Sequence, residues 1–180
     1  MNKFGQGDFL GAIADFGESI WVNPNLAPVH YFLGTSSESW GNYWAAINDY
    51  TQAIENNPEF ADAYYMRGNI YCKFGDYQRA IDDFTQFIVF HPDIDRTYYA
   101  RGAIRSYVGD NQGAIEDFTQ FINLNPHPNY NNYYHRGVIY YLLGNYQEAI
   151  EDLENSLRIC SYLKNIAFYQ RVQQAIEQLR

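Results

Sequence analysis

The chain has 180 residues and a formal net charge of −9, with 18 tyrosines, 12 phenylalanines and two cysteines. The cysteines, Cys72 and Cys160, lie far apart in sequence, so the sequence suggests neither a disulfide framework nor a metal site. The acidic balance disfavours binding to the phosphate backbone of a nucleic acid, and no stretch approaches the length of a membrane span. We therefore expect a cytoplasmic protein with no nucleic-acid partner and no membrane insertion, unless a leader has been removed from a longer parent.

One sequence pattern occurs five times along the chain. It first appears as Gly-Asp-Phe-x-x-Ala-Ile-x-Asp-Phe from Gly7 to Phe16. Its alanines recur every 34 or 35 residues, at Ala12, Ala46, Ala80, Ala114 and Ala149. A period of this length is typical of a solenoid, in which each unit buries its apolar side by stacking on the next.

Each period is predicted to contain two helices joined by a short turn, because apolar residues recur at three- and four-residue spacing. Gly75 and its equivalents suit that turn, where a left-handed residue ends one helix and a following Asp or Asn caps the next. Gly68 and Ala80, with their equivalents, are small residues inside the helices and predict close approach of partner helices. Prolines punctuate most periods, at Pro24, Pro58, Pro92 and Pro126.

In chain order these landmarks predict a single repeat domain over 1–180. It comprises a half repeat at 1–26 that retains only its second helix, full repeats at 27–60, 61–94, 95–129 and 130–163, and a capping helix at 164–180. The half repeat would expose a face that normally packs on a neighbour, so we expect a fragment of a longer array or pairing with another chain. The polar side chains of the last helix suit a terminal cap that supplies solubility.

The aromatic, glycine, tyrosine, alanine and proline landmarks resemble those of the tetratricopeptide repeat family over nearly the whole chain. Ser37 and Arg105 depart from the tyrosine seen at Tyr71 and Tyr140. The resemblance implies an all-α fold, a right-handed superhelical solenoid of helix-turn-helix repeats. It also implies that the first helices of successive repeats line a concave groove that receives an extended peptide.

Mapped onto this chain, that groove is rich in tyrosine and carries few charges. The residues expected to bind the peptide are Tyr31, Tyr65, Asn69, Lys73, Arg96, Tyr99, Tyr107, Tyr134, His135 and Tyr141. Aromatic packing and phenolic hydroxyls would suit a peptide backbone. The alternative is that many of these tyrosines pack on one another and are structural.

The family's best-known binding mode, a two-carboxylate clamp for the acidic carboxy-terminus of heat-shock chaperones, is not expected here. In one register the matching positions hold Tyr31, Thr35, Met66, Arg96 and Ala100, and in the next they hold Tyr65, Asn69, Ala100, Asn131 and His135. Only one position in each register carries a suitable residue.

A repeating charge pattern accompanies the repeats. Arg67, Arg101 and Arg136 stand just before the first-helix glycines, and aspartates such as Asp117 and Asp152 recur in the second helices. We expect these arginines to pair with the repeating aspartates within or between repeats. The other interpretation leaves them available to an acidic ligand.

The sequence favours a protein without enzymatic activity or a cofactor. Its four histidines fall at unrelated repeat positions, and no metal-spaced cluster, nucleophile motif or phosphate loop occurs. The leading hypothesis is a scaffold or adaptor that binds a peptide or protein segment in the tyrosine-rich groove. A second is a structural module that self-associates through the amino-terminal half repeat. A third, a related helical repeat that reads RNA bases, is opposed by the proline and glycine register and by the acidic charge.

Overall fold

The structure, a computed structural model, describes residues 26–125, 130–162 and 166–179, and the regular elements in these ranges are all α-helices. They are α1 (Ala27–Ser39), α2 (Tyr43–Asn56), α3 (Ala61–Lys73), α4 (Tyr77–Phe90), α5 (Asp95–Tyr107), α6 (Asn111–Leu124), α7 (Tyr130–Leu142), α8 (Tyr146–Tyr162) and α9 (Ile166–Leu179). The predicted half repeat at 1–26 lies outside the described residues, except for Leu26.

The turns between paired helices contain left-handed glycines, as predicted. The backbone angle φ is positive at Gly41, Gly75, Gly109 and Gly144, with values of 77°, 76°, 88° and 80°. Glycine adopts this left-handed conformation without the steric cost that a Cβ brings. The chain can therefore end one helix and start the next within a few residues.

Short polar side chains cap the second helices, as predicted. Asn42 accepts a hydrogen bond from the backbone N–H of Ala45 at the start of α2, and Asp110 accepts one from that of Gly113 at the start of α6. Asp76 does the same for α4. Each cap satisfies a backbone donor that the helix itself cannot pair.

The chain divides into two compact units, 1–75 and 76–180. In the first unit α1 and α2 pack as a hairpin, and α3 packs on α2. The buried core of this unit consists of Ala27, Ala46, Tyr50, Ala53, Ala63 and Ile70. A Cβ placed on Gly34 would lie 2.6 Å from the ring of Tyr50, which confirms close helix approach at this glycine.

In the second unit each helix packs on the next along the chain, from α4 to α9. One core cluster is formed by Ala114, Ile115, Phe118 and Ile139, and a second by Leu153, Val172 and Ile176. Gly102 and Gly137 again mark close approach, since an added Cβ would lie 3.0 Å from Asp117 Cβ and 3.2 Å from Asp152 Cβ respectively. The repeating alanines Ala80, Ala114 and Ala149 are fully buried.

The predicted pairing of arginines with aspartates is confirmed for Arg101 and Arg136. Arg101 forms an ion pair with Asp117, and Arg136 forms one with Asp152. Burial opposes the charge of the Arg136 guanidinium, but its hydrogen bonds to Asp152 outweigh that effect and raise its pKa above the ordinary value. Arg67 donates a hydrogen bond to the hydroxyl of Thr51 at 2.9 Å.

None of the helices in the described ranges combines the length and the apolar character that a membrane span requires. Within the same ranges, His, Cys, Asp and Glu side chains form no group of three or more that could hold a metal ion.

Candidate functional site

The residues expected to line a groove lie on α1 and α3 in the first unit and on α5 and α7 in the second. Side chains four positions apart share one face of a helix. Tyr65, Asn69 and Lys73 therefore lie along a single face of α3, where Tyr65 and Asn69 are half-buried and Lys73 is exposed. The same spacing places Tyr134 and Val138 together on α7.

Tyr31 lies at the edge of the core in the first unit. Its ring centroid lies 5.8 Å from that of Tyr50 and 5.3 Å from that of Phe60. Burial, together with the nearby carboxylates of Asp62 and Glu38, raises the pKa of the Tyr31 phenol above its ordinary value. Tyr31 is thus a packing residue of this unit, whatever else it contacts.

Lys73, at the end of α3, contacts the side chain of Tyr43. Its Nζ donates a hydrogen bond to the hydroxyl of Tyr43 at 2.6 Å and lies 4.1 Å from the centroid of that ring. Beside it, the rings of Trp44 and Phe74 stack with centroids 5.2 Å apart. The sequence reasoning did not single out these three aromatic residues, because they come together only when α2 and α3 pack.

The second unit brings Tyr99, Tyr134 and His135 into one aromatic cluster. The imidazole of His135 lies 6.2 Å from the ring of Tyr99 and 5.8 Å from that of Tyr134, measured between centroids. It also stacks on Phe118 at 6.0 Å. Partial desolvation among these rings lowers the pKa of His135 below its ordinary value, so the neutral imidazole is favoured.

Arg96 and Tyr107 stand at opposite ends of α5. Arg96 is exposed in the first turn of α5, and Tyr107 is exposed at its last residue. At a rise of about 1.5 Å per residue, α5 separates them by roughly 16 Å. The ring of Tyr107 packs edge-on against Tyr77, with centroids 4.8 Å apart.

A cavity of about 120 Å³ opens beside the aromatic cluster. Its walls are Tyr134, Val138 and Tyr141 of α7, Leu153 of α8, and Ala175 and Leu179 of α9. The structure therefore brings Tyr134 and Tyr141 together, as part of one surface. Sequence reasoning missed the contribution of α9, whose polar side chains predict only a terminal cap. The four-residue spacing of Arg171, Ala175 and Leu179 was the signal that could have indicated a contact face.

The arrangement offers apolar packing and phenolic hydroxyls for binding. Burial raises the pKa of the Cys72 thiol to about 11, so at neutral pH this side chain is a protonated thiol with little nucleophilic character. The aromatic cluster and the cavity are suited to holding side chains and backbone amides of another molecule.

Family models described as tetratricopeptide repeat match residues 27–60, 49–82 and 131–162. No curated protein matches the chain in sequence.

Solved structures of similar fold include two MamA proteins. A crystal structure of MamA is 25% identical, with a TM-score of 0.69 over 89% of this chain and 93% of that one. A MamA from Desulfovibrio magneticus RS-1 (41-end) is 18% identical, with a TM-score of 0.68 over 90% of this chain and 91% of that one.

A third similar structure is the first TPR of Spaghetti (RPAP3), bound to the HSP90 peptide SRMEEVD. It is 22% identical, with a TM-score of 0.57 over 66% of this chain and 93% of that one. The similarity to these structures is consistent with the helix pairs, the turn glycines and the buried alanines of the repeats. The chain belongs to the tetratricopeptide repeat family, and its fold is all-α.

Proposed function

We propose that this chain is a non-enzymatic scaffold that binds an extended segment of another protein along the aromatic faces of α5 and α7, the first helices of the repeats in its second unit. The tetratricopeptide repeat fold is a protein-interaction scaffold. The observation that carries the finer proposal is the cluster of Tyr99, Tyr134 and His135 beside an apolar cavity in the second unit.

The chemistry of this surface suits a peptide. Tyr99 and Tyr134 are half-buried, so each ring has packing partners and retains an accessible edge. Tyrosine combines a large apolar ring with a hydroxyl that can bond a peptide amide or carbonyl. Such residues add contact area with little loss of conformational entropy, because they have only two side-chain torsions.

Magnitudes indicate how long the bound segment must be. Burying about 150 Å² of an aromatic side chain contributes roughly 4 kcal/mol at ~25 cal/mol per Å². Association itself costs on the order of 4–15 kcal/mol. One aromatic contact is therefore insufficient, and we expect the partner to extend across α5, α7 and α9 of the second unit.

The partner proposed here differs from the HSP90 peptide SRMEEVD bound by the first TPR of RPAP3. A carboxylate clamp needs several Lys, Arg and Asn side chains, and the matching positions in this chain include Met66 and Ala100. An aromatic surface with few charges selects a partner through apolar side chains and backbone hydrogen bonds.

Affinity capture from the native cell tests this proposal. The wild-type chain is compared with a Tyr99→Ala, Tyr134→Ala double variant and with Tyr169→Ala, a control tyrosine on α9 that lies outside the cavity wall. We expect the double variant to lose proteins that both other baits retain, while circular dichroism shows the same helix content. Recovery of the same proteins by all three baits would show that the binding site does not lie on this surface.

Two further parts of the proposal are tested separately. A cytoplasmic location is expected, and fluorescence imaging of the tagged chain in its native cell checks it. Self-association through the amino-terminal half repeat stays a prediction, because residues 1–25 lie outside the described part of the chain. A monomer in light scattering at high concentration would contradict it.

A further inference from the structure

The cavity between α7, α8 and α9 is lined by aliphatic and tyrosine side chains, and the cationic side chain of Arg171 lies beside it. Val138, Leu153, Ala175 and Leu179 supply aliphatic surface, and Leu153 is buried. The guanidinium carbon of Arg171 lies 5.9 Å from the ring centroid of Tyr134, which lines the cavity. Because Arg171 stands one helical turn before Ala175, its side chain lies at the end of the same face.

The size of the cavity limits what can occupy it. Its volume is about 120 Å³. Ligand and cofactor pockets usually measure roughly 300–1,000 Å³, whereas an apolar cavity of about 150 Å³ admits a single benzene. The cavity is thus too small for a cofactor and fits one side chain of the size of leucine to phenylalanine.

Arg171 differs from Arg101, which is buried, and from Arg136, which is half-buried, in the same unit. Arg101 and Arg136 are each paired with an aspartate. Arg171 is exposed, and its interactions within the described ranges are contacts with the rings of Tyr134 and Phe168, each 5.9 Å from the guanidinium carbon. Glu177, further along α9, accepts a hydrogen bond from Gln173. Among the described residues no carboxylate forms an ion pair with Arg171, so a carboxylate of a bound partner could pair with it.

We propose that this cavity is the anchor site of the bound partner, and that it takes one large apolar side chain from a segment carrying an aspartate or glutamate beside that anchor. The acidic side chain pairs with Arg171, beside the cavity-lining ring of Tyr134, while the apolar side chain fills the space between Val138, Leu153 and Ala175. This inference rests on the proposed function, since Tyr134 belongs to both surfaces.

Charge also limits how acidic the partner can be. The chain carries a net charge of −9, which disfavours a long acidic run at a distance. The Debye length is about 8 Å at physiological ionic strength, so one carboxylate in contact with Arg171 is largely independent of distant charges. We expect a single acidic residue within a few positions of the anchor.

The test selects binders from a phage-displayed library of random dodecamer peptides on the full chain. A selected peptide is then synthesised with its acidic residue changed to the matching amide, and separately with its apolar anchor changed to alanine. Binding is measured by titration calorimetry against the wild type, Ala175→Leu, Arg171→Gln and Arg158→Gln. The Ala175→Leu variant fills the cavity without removing a contact residue, and Arg158→Gln is the control for loss of an exposed arginine.

We expect selected peptides to pair one large apolar residue with one acidic residue. Ala175→Leu should weaken their binding by roughly tenfold or more, as should the alanine change in the peptide. Arg171→Gln should weaken binding severalfold and remove the preference for the acidic peptide over its amide form. Arg158→Gln should leave affinity unchanged.

Other outcomes separate the two proposals. Peptides that need Tyr99 but bind equally well to Ala175→Leu would overturn the anchor site and leave the proposed function standing. Equal preference for acidic and amide peptides on the wild type would overturn the role of Arg171. A library that yields no binder at all would count against both.

Discussion

Arg101 and Asp117 form a two-point ion pair inside the second unit. Nε of the arginine donates to Oδ2 at 2.9 Å and Nη2 donates to Oδ1 at 2.6 Å. Its Nη1 donates to the hydroxyl of Thr85 at 2.9 Å, so the guanidinium links α5 to both α4 and α6. Arg136 repeats the arrangement with Asp152 and Thr119. Each arginine thereby ties its own helix pair to the helix that precedes that pair.

Replacing Arg101 with methionine should destabilise the fold. Asp117 is 1% exposed, and the substitution leaves its carboxylate with the single bond from Arg105 Nη1 at 3.1 Å. Removing one partner of a buried pair costs about 3–5 kcal/mol, and the remaining arginine moves the expectation to the low end of that range. Urea unfolding followed by circular dichroism measures the loss.

The control is Arg79→Met, which breaks the exposed ion pair with Asp76. Surface pairs contribute little because water and salt screen them. We expect no measurable change in the free energy of unfolding. Equal stability of Arg101→Met and Arg79→Met would show that the buried pairs do not hold the repeats together.

Gly102→Ala should also lower stability, although alanine favours helices. Its Cβ would lie 3.0 Å from Asp117 Cβ and 3.3 Å from the ring of Phe118. Overpacking of this kind costs roughly 1–3 kcal/mol, which exceeds the gain of about 1 kcal/mol in helix propensity. Thermal unfolding by calorimetry provides the measurement.

Substitutions at Gly109 test the effect of backbone strain in the absence of a packing clash. A Cβ there meets nothing within 4 Å, but φ is +88°. Gly109→Ala should cost about 1–2 kcal/mol through strain alone, and Gly109→Asn should be milder because asparagine tolerates the left-handed region. At Gly102 asparagine should be at least as harmful as alanine. The same ranking at both positions would refute the assigned causes.

His135 should titrate below its ordinary pKa of 6.5. Because desolvation lowers the pKa in the folded state, the unfolded chain binds more protons over the interval below 6.5. The contribution of His135 to stability therefore rises with pH through that interval and falls on acidification. An NMR titration of the imidazole carbon-bound protons locates the midpoint. A midpoint at or above 6.5 would contradict the desolvation argument.

The two cysteines should resist alkylation at neutral pH. Cys160 is fully buried, and burial raises the pKa of Cys72 to about 11. At pH near 8 roughly one Cys72 thiol in a thousand is then ionised, so its reaction with iodoacetamide should be slow and should rise about tenfold per pH unit. Peptide-level mass spectrometry distinguishes the two sites. Rapid labelling of Cys72 in the folded chain would contradict the shift.

Much of the local architecture follows from neighbours in sequence. The left-handed turns at Gly41 and Gly109 and the helix cap at Asp110 each depend on a few adjacent residues. Their conformation could therefore be predicted directly from the sequence. The pairing of Arg136 with Asp152 was also predictable, because both residues recur once per repeat at a fixed separation. Because both partners recur at fixed positions of the repeat, a contact between residues distant in sequence can be predicted from the repeat period.

The candidate site was only partly predictable. The repeat register indicated Tyr99, Tyr134 and His135, and their rings do cluster. It gave no indication that Lys73 would lie on the ring of Tyr43, a residue 30 positions earlier. It also did not reveal the cavity, since α9 lacks the repeat landmarks and its contacts follow from the shapes of the surfaces that it meets.

The amino-acid sequence by itself determined the repeat, the helix pairs, the turn glycines and the buried arginine pairs, because these depend on short-range sterics and on a pattern that recurs at one fixed spacing. Only the tertiary structure decided which aromatic residues are packed and which side chains enclose a cavity. Those outcomes depend on how helices from different repeats fit together, and side-chain packing at such contacts is not encoded in any single segment.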